Sequence, residues 1–427
     1  MKALYTIVII LFTWMVQLAA LFNHKAWLWV KGRKKWRKKL KEGISGQGKT
    51  FWIHCASLGE FEQGRPVIEM IKKLTPEIKI LVTFFSPSGY EIRKDWPLAD
   101  YICYLPADTR RNASVFIDIV KPSMVIFIKY EFWANYISEI RKQEIPLYLV
   151  SSIFRADQHF FRWYGGFSRK ILKNFTHIFV QDESSMQLLQ SIKIKDVTIS
   201  GDTRFDRVAR IMESPENIPQ IEKFRKGEKL FLAGSSWKAD EEIRTRYINK
   251  YPGRMKWIFA PHEIDDSNIG RLERLLNVSY LRFSRFNEAS ADARVLIMDN
   301  IGMLAKAYRY ACISAIGGGF GDGIHSILEP ACWGIPILFG PNHLKFREAA
   351  DLISENGAFT FRNYEEFEKI LDRLIEDETE YRRASKATSD YVRINTGATQ
   401  KIVELVLHSS FKDISSVDRS LSKGSGE

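Results

Sequence analysis

A chain of 427 residues with 45% apolar content is long enough for two domains with ordinary hydrophobic cores, which excludes a disordered or fibrous protein. The formal net charge of +12 is unevenly placed: residues 1–50 carry eleven Lys or Arg against one acid, Glu42, and so hold +10 of it, which excludes a broad nucleic-acid surface as its source. The four cysteines (Cys55, Cys103, Cys312, Cys332) are scattered through mostly apolar runs, a pattern that fits neither a disulfide framework nor a metal motif and suits a reducing compartment.

Ala3 to Phe22 is an uncharged, almost wholly apolar run, about long enough to cross a hydrocarbon core of roughly 30 Å. A basic run from Lys25 to Lys41 follows, with Trp27, Trp29 and Trp36 interleaved. Interfacial aromatics followed by a cationic cluster make the positive-inside arrangement. The charge follows the apolar run rather than preceding it, unlike a cleaved signal peptide. Residues 1–45 are therefore predicted to be an uncleaved membrane anchor, spanning or monotopic, with its basic segment held against anionic lipid.

From residue 46 to 205, apolar runs predict strands at Phe51–Cys55, Ile80–Phe84, Met124–Ile128, Leu147–Val150, Ile178–Val180 and Val197–Ser200. Helix-forming sequence separates them, the pattern of a parallel sheet. After the first run comes His54-Cys-Ala-Ser-Leu-Gly-Glu60. An apolar face at Val67, Ile68, Met70, Ile71 and Leu74 then predicts a helix. Glu60 would thus stand at the carboxyl end of a parallel strand, where open α/β sheets bind ligands. Ser57 and Glu60 also fit a capping box that needs no substrate.

Residues 206–228 are charged, contain Pro215 and Pro219, and read as an interdomain linker. A second alternation spans 229–410, with strands at Leu230–Ala233, Trp257–Ala260, Val295–Met298, Cys312–Ile316 and Ile335–Phe339 and a helical stretch at 364–408. Residues 411–427 read as a disordered tail. Three loops here carry candidate chemistry. Gly234-Ser235-Ser236 offers hydroxyls and amides to a phosphate, or else a plain helix cap. Ala260-Pro261-His262 offers an imidazole. Gly317-Gly318-Gly319, Gly321 and Gly323 permit close backbone approach, with a helix carrying His325 and Glu329 expected to follow. Pro330 limits that helix to a short piece.

With these residues in view, the chain resembles the 3-deoxy-manno-octulosonic acid (Kdo) transferases of lipopolysaccharide synthesis, anchor included. The first match is Ser57-Leu58-Gly59-Glu60. The second is Lys129-Tyr-Glu131-Phe-Trp133-Ala-Asn135, like the family's Glu-Thr-Glu-x-Trp-Pro-Asn. The third is Gly201-Asp-Thr-Arg204-Phe-Asp206. The fourth runs from Gly318-Gly319 through His325, Glu329-Pro330-Ala331 and Gly334-x-Pro336 to Gly340-Pro341. The sequence departs from the family at Lys129 (for an acid), Ala134 (for proline) and Ser326 (for asparagine). The Arg that usually precedes His262 is also missing.

The resemblance implies two Rossmann-like domains facing across a cleft, the GT-B glycosyltransferase type. It implies inverting, metal-independent transfer of Kdo from CMP-Kdo to a lipid A precursor at the cytoplasmic face of the inner membrane. No cofactor is expected beyond the CMP-Kdo substrate. Glu60 is the expected general base. Ser57, Gly59, Arg65, Lys129 and Glu131 stand on the acceptor or Kdo side, with Glu131 leaning to a structural role. Arg204, Ser235, Ser236, His262, Gly318, Gly319, His325 and Glu329 are expected at CMP. The competing readings are another membrane-anchored GT-B enzyme using a UDP-sugar, and a non-catalytic membrane-tethered binding protein.

Overall fold

The computed structural model describes residues 1–44, 48–287 and 292–408; the tail expected at 411–427 lies outside them. The chain forms two compact units, Met1–Arg207 with the chain from Thr396 onward, and Val208–Asn395. Each is built on one seven-stranded sheet.

The first sheet contains β1 (Thr50–Cys55), β2 (Lys79–Phe84), β3 (Tyr101–Tyr104), β4 (Met124–Ile128), β5 (Leu147–Ser152), β6 (His177–Val180) and β7 (Val197–Ile199). Their order is β3, β2, β1, β4, β5, β6, β7, all parallel. Alternate residues face opposite sides. Phe51, Ile53 and Cys55 join one core layer, while Trp52 joins the other. Helices cover both faces, so these strands read as unbroken apolar runs.

The second sheet contains β8 (Leu230–Ser236), β9 (Lys256–Pro261), β10 (Tyr280–Arg282), β11 (Val295–Ile297), β12 (Ile313–Ile316), β13 (Ile337–Phe339) and β14 (Ala358–Thr360). Their order is β10, β11, β9, β8, β12, β13, β14, again all parallel. Each sheet has a central switch in strand order, its turning point, between β1 and β4 and between β8 and β12; in the second sheet β11 also inserts between β9 and β10. Chain crossovers diverge at the central switch and leave a crevice at the carboxyl strand ends.

The units divide differently from the expected domain limits. The segment expected as an interdomain linker, 206–228, is mostly helical, in Thr203–Glu213 and Pro219–Arg225, and the chain passes from one unit to the other at Arg207. The second unit does not run to 410. Asp206 accepts from the Gly397 amide (2.6 Å), the Thr399 amide (2.7 Å) and the Thr399 hydroxyl (2.6 Å). This carboxylate starts a helix over 398–408 that returns to the first unit, where Ile402, Val403 and Val406 join the β1 core layer.

Helix Lys2–Ala19 precedes the first sheet and is long and apolar enough to cross a membrane, with a mean hydropathy of 1.7. The basic run behind it is not all surface charge. The Arg33 guanidinium donates to the carbonyls of Phe85 and Leu105, both at 2.8 Å, and lies 3.8 Å over the Trp29 ring. It thus ties the loops after β2 and β3 together.

Candidate functional site

In the first unit, candidate residues gather at the turning point of the sheet. Helix Leu58–Leu74 begins directly after β1, and Glu60 is half-exposed in its first turn. The capping box is not formed. Ser57 is the N-cap but makes no side-chain cap bond; its hydroxyl instead donates to the Glu60 carboxylate. Ser57 therefore orients Glu60. A Cβ on Gly59 would meet only the Ser57 hydroxyl, at 3.7 Å, so little crowds this approach to the carboxylate.

Across the turning point, the loop after β4 carries Lys129 and Glu131. Lys129 is left-handed, with a φ of 62°. Ser151 near the end of β5 (φ 58°) and Ser235 near the end of β8 (φ 49°) share that conformation. Non-glycine residues adopt it at a cost, and such strain gathers at ligand-binding sites.

Glu131 Oε2 lies 3.2 Å from His54 Nε2 and accepts from Trp133 Nε1 at 2.5 Å. His54 is fully buried, and its Nδ1 lies 2.8 Å from the Thr83 hydroxyl, which also accepts from Trp52 Nε1 at 2.8 Å. This chain from Trp52 to Glu131 fixes the loop after β4 against β1 and β2. His54 was not singled out from the sequence. Its signal was a lone imidazole inside an apolar strand, which demands a buried polar partner. Burial pushes the neighbouring Cys55 thiol up, helped by the Glu60 and Glu131 carboxylates, so both acids lie near that strand end.

Arg65 is engaged with carboxylates: its Nε donates to Glu69 at 2.6 Å, and its guanidinium lies 3.9 Å from Glu62. Arg93 (2.6 Å) and Arg207 (3.1 Å) converge on the same Glu62. Neither was anticipated, and together they gather three guanidinium groups along this helix around Glu62 and Glu69. Arg204, expected at CMP, falls in the first unit and is bound to Asp202 at 2.7–2.9 Å.

In the second unit, the loops after β8, β9 and β12 come together. Asp240 is their knot. It accepts from the amides of Trp237 (3.1 Å) and Gly318 (3.0 Å), and Arg244 lies 3.4 Å from it in full burial. Three arrangements differ from the sequence expectation. The Ser236 hydroxyl is buried and donates to Glu241 at 2.8 Å. The Gly318 amide is spent on Asp240, and those of Gly321, Gly323 and His325 bond the turn's own carbonyls. His325 is on no helix; the helix spans only Leu328–Cys332, with Glu329 in its first turn.

The glycines serve close backbone contact. A Cβ on Gly317 would fall 2.0 Å from the Ser235 carbonyl oxygen, and one on Gly319 2.6 Å from the Gly340 nitrogen. Glu329 lies near Tyr308, whose phenol is pushed well up, first by burial and then by that carboxylate. The Tyr308 hydroxyl packs against Gly234, where a Cβ would come within 1.9 Å.

What the loops present outward is an aromatic stack. The Trp237 and His262 rings lie 4.5 Å apart, as do those of His262 and His325. Trp237 Nε1 donates to His325 Nε2 at 3.2 Å. An indole N–H only donates, so His325 Nε2 must be unprotonated. Burial, then His262, lowers the proton affinity of His325, with Asp240 opposing. Trp237 was missed in the sequence because it follows the serines that drew attention.

Residues 33–207 match the family model described as 3-deoxy-D-manno-octulosonic-acid transferase (kdotransferase). The 3-deoxy-D-manno-octulosonic acid transferase of Aquifex aeolicus is 27% identical over 354 residues, covering 81% of this chain and 92% of that protein. That of Rickettsia bellii is 29% identical over 338 residues, covering 76% and 79%. Among solved structures, UDP-GlcNAc 2-epimerase from Neisseria meningitidis, bound to UDP-GlcNAc, is similar with a TM-score of 0.59 at 16% identity, covering 84% of this chain and all of that one. That last likeness is one of fold. Two parallel-sheet α/β domains of the GT-B type, behind an apolar N-terminal helix, are what the sequence led us to expect.

Proposed function

We propose, from the premise that this chain resembles the Kdo transferases over most of its length, that it is a glycosyltransferase moving Kdo from CMP-Kdo to a lipid A precursor at the cytoplasmic face of the inner membrane. The observation that carries the mechanism is the placement of Glu60. It is half-exposed, held by the Ser57 hydroxyl, and set beside the turning point of the first sheet. As general base it takes the proton of an acceptor sugar hydroxyl while that oxygen attacks the anomeric carbon of Kdo. The anomeric carbon inverts as its bond to the CMP phosphate oxygen breaks. The bonding electrons leave with CMP, whose phosphate needs no proton. The reading assigns no metal or cofactor to this step.

Glu131 then has a positioning role, through His54 and Trp133. The guanidinium cluster of Arg65, Arg93 and Arg207, now held by Glu62 and Glu69, could exchange those partners for acceptor phosphates. CMP falls to the second unit, with the Trp237–His262–His325 stack, the carbonyl-rich glycine turn and Glu329 as its surroundings.

Glu60→Gln keeps the side-chain shape and removes basicity. With CMP-Kdo and a phosphorylated lipid A precursor, turnover should fall by roughly 10²- to 10⁴-fold with CMP affinity unchanged. Turnover within a few-fold of the parent rules out the base assignment. Calorimetric titration with CMP and UDP tests the donor, and preferential binding of UDP favours the UDP-sugar reading.

A further inference from the structure

The apolar helix Lys2–Ala19 lies along the first unit rather than standing away from it. Tyr5 Oη donates to Asp108 Oδ2 at 2.7 Å, and Asn135 Nδ2 donates to Thr6 Oγ1 at 3.2 Å. One to two turns later, the Phe12 ring is 6.3 Å from both Phe85 and Trp29. Residues 2, 5, 6, 9, 13 and 16 are partly covered, a stripe at helical period that runs the length of the helix. The opposite stripe, with Ile7, Leu11, Trp14 and Leu18, is exposed. Its docking partners are the loops after β2, β3 and β4, on the side of the sheet where Glu60 stands.

That geometry distinguishes two kinds of anchor. The helix measures about 27 Å at 1.5 Å per residue. If it spanned the bilayer with these contacts intact, Asp108 and the exposed Arg110 and Arg111 beside it would be drawn into hydrocarbon, where charge is strongly disfavoured. If it lies in the plane of the surface, its covered stripe stays on the protein and its outer stripe meets acyl chains.

A second feature points the same way. Trp163 is 91% exposed, and its neighbour Tyr164 is 59% exposed. The helix that follows them, Gly166–Leu172, carries Phe167, whose ring lies 6.1 Å from Tyr5. The two exposed aromatics therefore sit on the chain segment that meets the start of the apolar helix. Trp and Tyr are the residues favoured at lipid headgroups. Exposed Lys31, Lys34 and Lys35 follow the apolar helix in the chain and complement anionic lipid.

We infer that the N-terminal helix is an in-plane, monotopic anchor, and that the Trp163–Tyr164 loop is a second insertion point into the same leaflet. The occupant of this face is a bilayer containing anionic lipid. The inference rests on the membrane part of the proposed function and on none of its chemistry. Its consequence is that a lipid acceptor reaches the carboxyl edge of the first sheet while its acyl chains stay in the membrane.

The test uses the full chain carrying Ala3→Cys, with the parent chain as the background for native thiols. The probe is a membrane-impermeant maleimide. The in-plane anchor predicts labelling in inverted inner-membrane vesicles and none in intact spheroplasts. Labelling in intact spheroplasts means that the helix spans, which overturns the inference and leaves the enzymatic reading standing. Separately, Trp163→Ser with Tyr164→Ser should weaken sedimentation with phosphatidylethanolamine–phosphatidylglycerol vesicles by roughly tenfold, with CMP affinity unchanged. Unchanged sedimentation overturns the second insertion point. A parent chain that fails to sediment with vesicles overturns the membrane reading itself, whatever its turnover.

Discussion

Trp237 and His325 show how one hydrogen bond can set a protonation state. The indole N–H requires a lone pair on His325 Nε2, so a proton there breaks the bond. Burial and His262 act in the same direction, with Asp240 the facing group that opposes them. A histidine with a depressed folded-state value stabilises the fold above its ordinary value of 6.5 and loses that contribution as pH falls through the folded value. Thermal unfolding should therefore shift down between pH 7.5 and pH 5.5. Trp237→Phe retains the stack without the N–H, so its acid shift should be smaller than the parent's; equal shifts would mean that the bond does not govern His325. At this scale the sequence was a partial guide. Ser57 and Glu60 meet at the helix start, through the Ser57 hydroxyl rather than a capping box. Ser236 and the Gly318 amide do not face outward, because a partner five residues along (Glu241) and one seventy-eight residues away (Asp240) claim them. Neither pairing leaves a local pattern.

At the scale of elements, the legible strands are the interior ones and one edge strand, β7, whose Val-Thr-Ile is a β-branched run. The three that were missed, β3, β10 and β14, all lie at sheet edges. An edge strand is half solvated, so its residues need not form a continuous apolar run; β10 is Tyr-Leu-Arg, with Tyr280 exposed. The segment expected as a linker, 206–228, begins at a residue whose hydrogen bonds reach far along the chain: Asp206 caps the helix over 398–408, and just before it Thr203 donates to the Gln63 carbonyl at 2.6 Å. Asp206→Ala should leave two amides and a hydroxyl without their acceptor, a loss of about 1–3 kcal/mol. Hydrogen exchange should then accelerate across 398–408 while β8 to β14 keep their protection. Uniform acceleration over both units would mean that the contact is not local.

For the whole molecule, the concentration of charge in the first fifty residues and the burial of Arg33 belong to one arrangement. The anchor is both a lipid ligand and part of the first unit's packing. Deleting residues 1–24 should move the protein from the membrane fraction to the soluble one. It should also lower the unfolding temperature of the first unit by several degrees, because Asp108, Asn135 and Phe85 lose Tyr5, Thr6 and Phe12. Retention in the membrane after deletion would assign anchoring to the basic run or to the Trp163–Tyr164 loop. Two domains and an anchor were readable because each obeys a periodic rule. The return of residues 396–408 to the first unit was not, because helical periodicity reports that a face is buried without saying by what.

The contact between Gly319 and Gly340 has a genetic consequence. Each position excludes a side chain because the backbone of the other occupies the space; a Cβ on Gly340 would fall 2.7 Å from the Gly319 carbonyl carbon. The first alanine at either site must prise the two loops apart, and the second then enters space already opened. The two substitutions should therefore be strongly non-additive, with the double variant scarcely worse than the more damaging single one. In a mutational library the pair would behave as one locus, with harm at either position masking harm at the other.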